Sequence, residues 1–262
     1  MDKFNNYLNK FFCIDKKIVL ITGATGQLGH TLCKTFIDLG AIVIGTDVEI
    51  NEKKILHDSN ISYIPLDITH KKSVENIFEK LYNKHRCVDV LINNAGVSVF
   101  VPFEDRTEES FDWTTSVNLK GTFLCIQEYA KNHKNVKQQG SIINIASIYG
   151  IISPDPRIYQ VGDNVNSEVY GATKAGIIQM TKYFAVHLAD YRIRVNAVSP
   201  GGIYNPENPQ SKYFINEYSK RNPMGRMANA EEMLGAVLYL ASDASSYVTG
   251  HNLVVDGGMS CW

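Results

Sequence analysis

Tyr170 and Lys174 stand four residues apart in Tyr-Gly-Ala-Thr-Lys, within a stretch whose pattern predicts a helix. That spacing puts both side chains on one helix face. A phenol with a pKa of about 10 transfers protons poorly at neutral pH. A neighbouring ammonium favours the phenolate and lowers that value. So tuned, the phenol can pass a proton to or from a substrate oxygen. Ser147 follows an apolar, strand-like run and can donate a hydrogen bond to the same oxygen as charge develops there. These three residue types point to interconversion of an alcohol and a carbonyl, which also needs a hydride carrier.

A place for that carrier is written near the N-terminus. The run Thr22-Gly23-Ala24-Thr25-Gly26-Gln27-Leu28-Gly29 joins a predicted strand to a predicted helix. Glycines there permit a tight turn and close approach of backbone to a pyrophosphate. The helix N-terminus adds free N–H groups and the positive end of its dipole. Gly23, Thr25, Gln27, Leu28 and Gly29 are therefore expected at the cofactor. Asp47 ends the second strand, 24 residues after Gly23, where an acid accepts hydrogen bonds from adenosine ribose hydroxyls. Its charge would repel a 2′-phosphate, and the next residue is Val48 rather than a cation. The expected cofactor is NAD, with NADP disfavoured. Asp67-Ile68 after the third strand and Asn94-Ala95-Gly96 after the fourth supply further wall residues, the small ones letting a flat ring lie against backbone.

Those positions require a particular scaffold. Apolar runs at Lys17–Thr22, Ala41–Thr46, Ile61–Leu66, Val88–Ile92, Ser141–Ile145, Arg192–Val198 and Asn252–Val255 read as seven strands. Helical patterns near Gln27–Leu39, Lys71–His85, Phe111–Lys131, Ser167–Ala189 and Ala230–Ala241 separate them. Continuous apolar strands alternating with helices predict an α/β fold, a doubly wound parallel sheet covered on both faces. Ligands bind such sheets beyond the carboxyl ends of the strands, where every residue named above falls. No linker, repeat or low-complexity segment divides the 262 residues, so one domain is expected, with residues 1–16 as an N-terminal extension.

With these motifs in place, the chain resembles the short-chain dehydrogenase/reductase family in its compact, single-domain branch. The resemblance runs from Lys17 to Gly258. It rests on the glycine loop, Asn93–Gly96, Asn118, Ser147, Tyr170 with Lys174, Pro200-Gly201, and Val255-Asp256-Gly257-Gly258. It implies a Ser147–Tyr170–Lys174 site assisted by Asn118, whose family role is to support a proton relay through water. It implies that Lys174 also holds the nicotinamide ribose, and that Pro200, Gly201 and Ile203 lie by the nicotinamide. Three features depart from the pattern. The loop reads TGxxGxxG, with Gln27 where the compact branch usually has Gly. Asn205 replaces the usual Thr. Ser147 and Tyr170 are separated by 22 residues, more than is usual.

The bulk composition excludes other classes. A net charge of −1, from 26 basic and 27 acidic residues, gives no basic excess for nucleic acid. No apolar run is long enough to span a membrane, and the seven histidines show no metal-ligand pairing. Five scattered cysteines without a CxxC motif fit free thiols in the cytoplasm. A homodimer or homotetramer is expected from the resemblance and the apolar stretch Tyr247–Trp262. Tyr213–Met227 reads as a helical flap over the substrate or an oligomer contact.

The segment between Ser147 and Tyr170 bears on the substrate, a small molecule. It carries Ser153-Pro154-Asp155-Pro156-Arg157, then Tyr159, Gln160, Asp163, Asn164, Asn166 and Glu168, with few apolar residues. Arg157 and Tyr159 are the candidate substrate contacts, Arg157 as a fork for a phosphate or carboxylate. Together with the TGxxGxxG loop, the segment is similar to dehydrogenases of bacterial flagellin and surface-sugar modification, implying a sugar derivative. The alternatives are a 3-oxoacyl thioester reductase, which Asp47 disfavours, and a redox-sensing regulator that binds NAD without catalysis. The complete Asn118, Ser147, Tyr170, Lys174 set argues against the regulator.

Overall fold

Strands built of Ile, Val and Leu on both faces cannot meet water on either, and the chain folds accordingly. In the computed structural model, which describes residues 3–134, 138–160 and 165–262, seven strands form one parallel sheet. They are β1 (Ile18–Thr22), β2 (Ile42–Asp47), β3 (Ile61–Pro65), β4 (Val90–Asn93), β5 (Gly140–Ile145), β6 (Ile193–Pro200) and β7 (Asn252–Val255). Their order is β3-β2-β1-β4-β5-β6-β7. The order reverses between β1 and β4, where Val19 is registered with Val43 on one side and Val90 on the other. Such a switch point opens a crevice at the strands' carboxyl ends.

Alternate residues of each strand enter different cores. Leu20 and Leu91 pack under α3 (Lys71–His85), α5 (Thr122–His133) and α6 (Glu168–His187), with Phe78, Ile126 and Tyr129 fully buried. Val19, Ile21 and Ile92 pack under α2 (Gln27–Asp38) and α8 (Leu234–Ala241), against Leu32, Phe36 and Val237. Two more helices complete the described set. One is α1 (Lys3–Phe12), inside the segment expected to be a mere extension. The other is α7 (Lys212–Arg221), which opens the Tyr213–Met227 stretch expected to be a helical flap or an oligomer contact.

The long helix expected over 111–131 is real but not uniform. It starts earlier, at α4 (Glu108–Thr115), where the Thr107 hydroxyl accepts from the Ser110 N–H. It then widens to a π-helical stretch over Ser116–Gly121 before resuming as α5. Residues 148–166 include two 3-10 turns, Ile148–Gly150 and Pro156–Ile158. Ile158 is fully buried in a small cluster with Ile148, Tyr218, Met227 and Met259, joined by Tyr149, Tyr159 and Phe214. The segment therefore has an apolar inner face, contrary to the polar loop its composition suggested. The mixed spacing hid a face that only docking against α7 defines. Asp163 and Asn164 lie outside the described residues.

Candidate active site

The glycine loop is shaped by contacts that tolerate no side chain. Gly23 has φ +66, and a Cβ on Gly29 would lie 2.0 Å from the Gly23 carbonyl oxygen. Asn94 locks this turn to β4, its Nδ2 donating to the Thr22 and Gly23 carbonyls at 2.9 and 3.0 Å. The N-cap of α2 is Gly26, which has no side chain to cap the first turn. Gln27, Leu28 and Gly29 instead border a cleft of about 480 Å³. Asp47, Asp67, Ile68, Asn94, Ala95 and Gly96 border the same cleft, as expected at a dinucleotide site.

Asp47 is held ready. Its Oδ2 accepts from the Thr25 N–H and hydroxyl at 3.1 and 2.7 Å, and its Oδ1 from the Val48 N–H at 2.9 Å. Thr25 thus aims the carboxylate and does not itself line the cleft. Asp67 is engaged at its own turn, accepting from the Thr69 N–H and hydroxyl and pairing with His70. Those contacts hold its carboxyl below the usual range although burial opposes them.

At the other end lie the residues expected to be catalytic. Ser167 caps α6 by accepting from the Tyr170 N–H at 3.3 Å, which fixes the backbone of the tyrosine itself. Lys174, one turn on, is buried. Its Nζ donates to the Ile145 carbonyl at 2.8 Å and sits 5.4 Å from the centre of the Tyr170 ring. Asn118, fully buried in the π-helical stretch, accepts from the Val97 N–H at 2.8 Å. Its Nδ2 donates to the Val97 carbonyl and the Thr173 hydroxyl at 2.9 and 3.1 Å. A Cβ on Gly96 would come within 3.4 Å of both Asn118 Oδ1 and Lys174 Nζ. The bare glycine therefore leaves open the approach to that pair. This gap, the uncapped first turn of α2 and the aimed carboxylate of Asp47 together fit a dinucleotide.

The electrostatics differ from the sequence expectation. Burial raises the Tyr170 pKa above its ordinary value, and the Ser147 hydroxyl works against that rise. Burial also pulls Lys174 down to about 8. The expected lowering of the tyrosine by the lysine is not seen, because both groups are removed from water and the ammonium is turned onto the Ile145 carbonyl.

Ser147 and Tyr170 face a second cavity of about 650 Å³ that shares Gln27 with the cofactor cleft. Gly201 and Ile203 line it, while Pro200 ends β6 and is buried behind it. Tyr159 lines it too. Arg157 does not: its guanidinium is taken by Asp155, Nη2 to Oδ2 at 2.7 Å, and stays exposed. The 3-10 turn brings the two side chains together and draws Arg157 away from the cavity. Asp155 also pairs with Arg221 of α7, and these contacts, led by the one with Arg157, hold its carboxyl down near 2. Phe214 and Tyr218 of α7 wall the cavity. The Tyr218 hydroxyl accepts from the Gly202 N–H at 2.7 Å. Asn166, part of the polar segment expected to bear on the substrate, lines this cavity, whereas Phe100 and Gln210 there, and Trp113 at the cofactor cleft, escaped the sequence reading. The i, i+4 spacing of Phe214 and Tyr218 was a usable signal. The others come from loops and a helix end, with no periodicity to betray them. Among the described residues no cluster of metal-ligating side chains occurs.

Comparison with known proteins agrees with this geometry. The family profile described as enoyl-(acyl carrier protein) reductase matches residues 23–260. A solved short-chain dehydrogenase from Leptospira borgpetersenii with bound NAD+ superposes with a TM-score of 0.88 at 42% identity, covering 99% of this chain and 96% of that one. A 3-oxoacyl-acyl-carrier-protein reductase of Thermotoga maritima is 35% identical over 254 residues, 94% of this chain and 98% of that protein. An NAD-dependent glycerol dehydrogenase of Listeria innocua is 32% identical over 255 residues, 95% of this chain and 96% of that protein.

Proposed function

Since the chain belongs to the short-chain dehydrogenase/reductase family of NAD(P)-dependent oxidoreductases, we propose that it moves a hydride between NAD(H) and a carbonyl/alcohol pair on a hydroxyl-rich, sugar-like substrate. The observation that carries this reading is the placement of Ser147 and Tyr170 on one cavity wall, with Lys174 behind the tyrosine. Bound nicotinamide supplies or accepts the hydride. Tyr170 passes the proton to or from the substrate oxygen. Ser147 donates a hydrogen bond to that oxygen. Lys174 holds the nicotinamide ribose, and Asn118 orders the backbone at Val97 beside it. Asp47 takes the adenosine ribose and disfavours a 2′-phosphate.

The cavity supports the substrate class. Tyr149, Tyr159 and Tyr218 offer ring faces and hydroxyls, and Asn166, Gln210 and Ser211 offer hydrogen bonds. The resemblance of the 153–159 segment extends the reading to sugars of surface-glycan or flagellin modification. The apolar residues Phe100, Ile148, Phe214 and Met227 in the same wall favour a second reading, reduction of a 3-oxoacyl thioester. We infer also that the chain works as a homodimer or homotetramer. The deciding experiment follows NADH and NADPH absorbance across polyols, sugar derivatives and 3-oxoacyl thioesters, with Tyr170→Phe alongside. Polyols or sugars turning over with NAD(H), and a loss of roughly 10²-fold in Tyr170→Phe with NADH binding kept, are expected. Turnover of thioesters alone would replace the sugar reading with the second, and near-normal turnover of Tyr170→Phe would remove the mechanism.

A further inference from the structure

Gln27 stands at the first position of α2 and borders the cofactor cleft, the substrate cavity and a third cavity beside Lys54 and Glu207. Its Nε2 donates to the Tyr204 carbonyl at 2.6 Å. The neighbouring Ile203 carbonyl accepts from Gln210 Nε2 at 3.0 Å, so two glutamine amides hold consecutive carbonyls of one loop. The same loop is tied to α2 a second time. His30, one turn along from Gln27, donates from Nδ1 to the Lys54 carbonyl at 2.9 Å, and Lys54 Nζ pairs with Glu207 at 2.6 Å.

From these contacts we propose that Gln27 is a positioning residue that straps the 203–210 loop where the dinucleotide cleft meets the substrate cavity, so that cofactor release requires the Gln27–Tyr204 hydrogen bond to break. The proposal rests on the NAD(H) reading above. Asp47 borders one cavity, Tyr170 the other, and Gln27 both. A dinucleotide held at Asp47 with its reactive end at Tyr170 must pass the strap, whereas a mononucleotide held at Asp47 alone need not. A glycine at position 27 would leave the Tyr204 carbonyl without this donor.

The test is stopped-flow release of NADH, followed by its fluorescence, in the parent protein, Gln27→Met and Gln27→Gly. Methionine keeps the bulk and removes the amide. Loss of one hydrogen bond predicts release about 5- to 10-fold faster in both variants. AMP affinity, measured by calorimetry, is expected to stay within twofold. NADH release within twofold of the parent in both variants would overturn the strap. So would AMP binding weakened as much as NADH binding, since Gln27 would then act through the glycine loop itself. A parent protein that bound neither NADH nor NADPH would overturn the function reading and the strap with it. Binding with unchanged release sinks the strap alone.

Discussion

Lys174 shows what a residue's type leaves open. Its spacing from Tyr170 named it as a partner, but burial governs its protonation. Its pKa in the fold, about 8, lies below the ordinary 10.5, so folding disfavours the ammonium. Below pH 8 the lysine is charged in both the folded and the unfolded chain, and the full penalty, about 3 kcal/mol, opposes folding. The penalty fades as pH rises from about 8 to 10.5. Replacing Lys174 with Met removes it and gives up the hydrogen bond to the Ile145 carbonyl, worth about 1 kcal/mol. The variant should therefore be more stable than the parent at pH 7 by about 2 kcal/mol, with the gap closing at about pH 10 and reversing above it, while losing turnover. Denaturant melts at several pH values check this, and a variant less stable at pH 7 would refute it. Asp47, similarly, was legible as an acid at a strand end, but its aim is set by Thr25. Asp47→Ala should narrow the proposed preference for NAD(H) in kcat/KM. An unchanged ratio would mean that the carboxylate does not read the ribose.

Among the elements, α6 was foreseen closely and the helix before it only in outline. The start of α6 has a local cause visible in the sequence, a serine three residues before the tyrosine whose N–H it caps. Ser167→Ala should cost about 1 kcal/mol, lowering the melting temperature by roughly 2–4 °C. Because the lost bond goes to the Tyr170 N–H, kcat should fall several-fold while NADH affinity holds. A stability loss without a kcat change would show that the tyrosine is fixed by other contacts. The π-helical stretch had no such local signature. It follows from Asn118 bonding both to Val97 and to Thr173 on α6, partners 21 and 55 residues away. Widened turns of this kind frequently mark functional sites.

For the whole molecule, exposed apolar residues carry the expectation of assembly. Tyr183 and Val186 of α6 are 56% and 75% exposed, and Phe123 of α5 lies tilted against Phe184 beside them, ring centres 6.3 Å apart. Exposed apolar residues of this sort on neighbouring helices suit an interface. The C-terminal stretch expected to serve that purpose is divided. Met259 is buried and Leu253 and Val255 pack on the core, while Tyr247 and Trp262 are exposed. Sedimentation at micromolar concentration should give a dimer or tetramer, and Val186→Glu should shift it toward smaller species by placing a charge among the exposed apolar residues. A monomeric parent would contradict the assembly.

The strand count, the parallel sheet and the placement of Asp47, Asp67 and Asn94 at or just beyond strand ends were legible in the sequence alone. Apolar runs and turn-forming residues are local, and a parallel sheet has few ways to bury such runs on both faces. Tertiary structure decided the substrate side. Arg157 meets Asp155 instead of the cavity. Ile158 turns a polar-looking segment inward, and Gln27 reaches a carbonyl 177 residues away. Each outcome depends on which distant partner the fold brings within reach, and neither composition nor spacing encodes that distance.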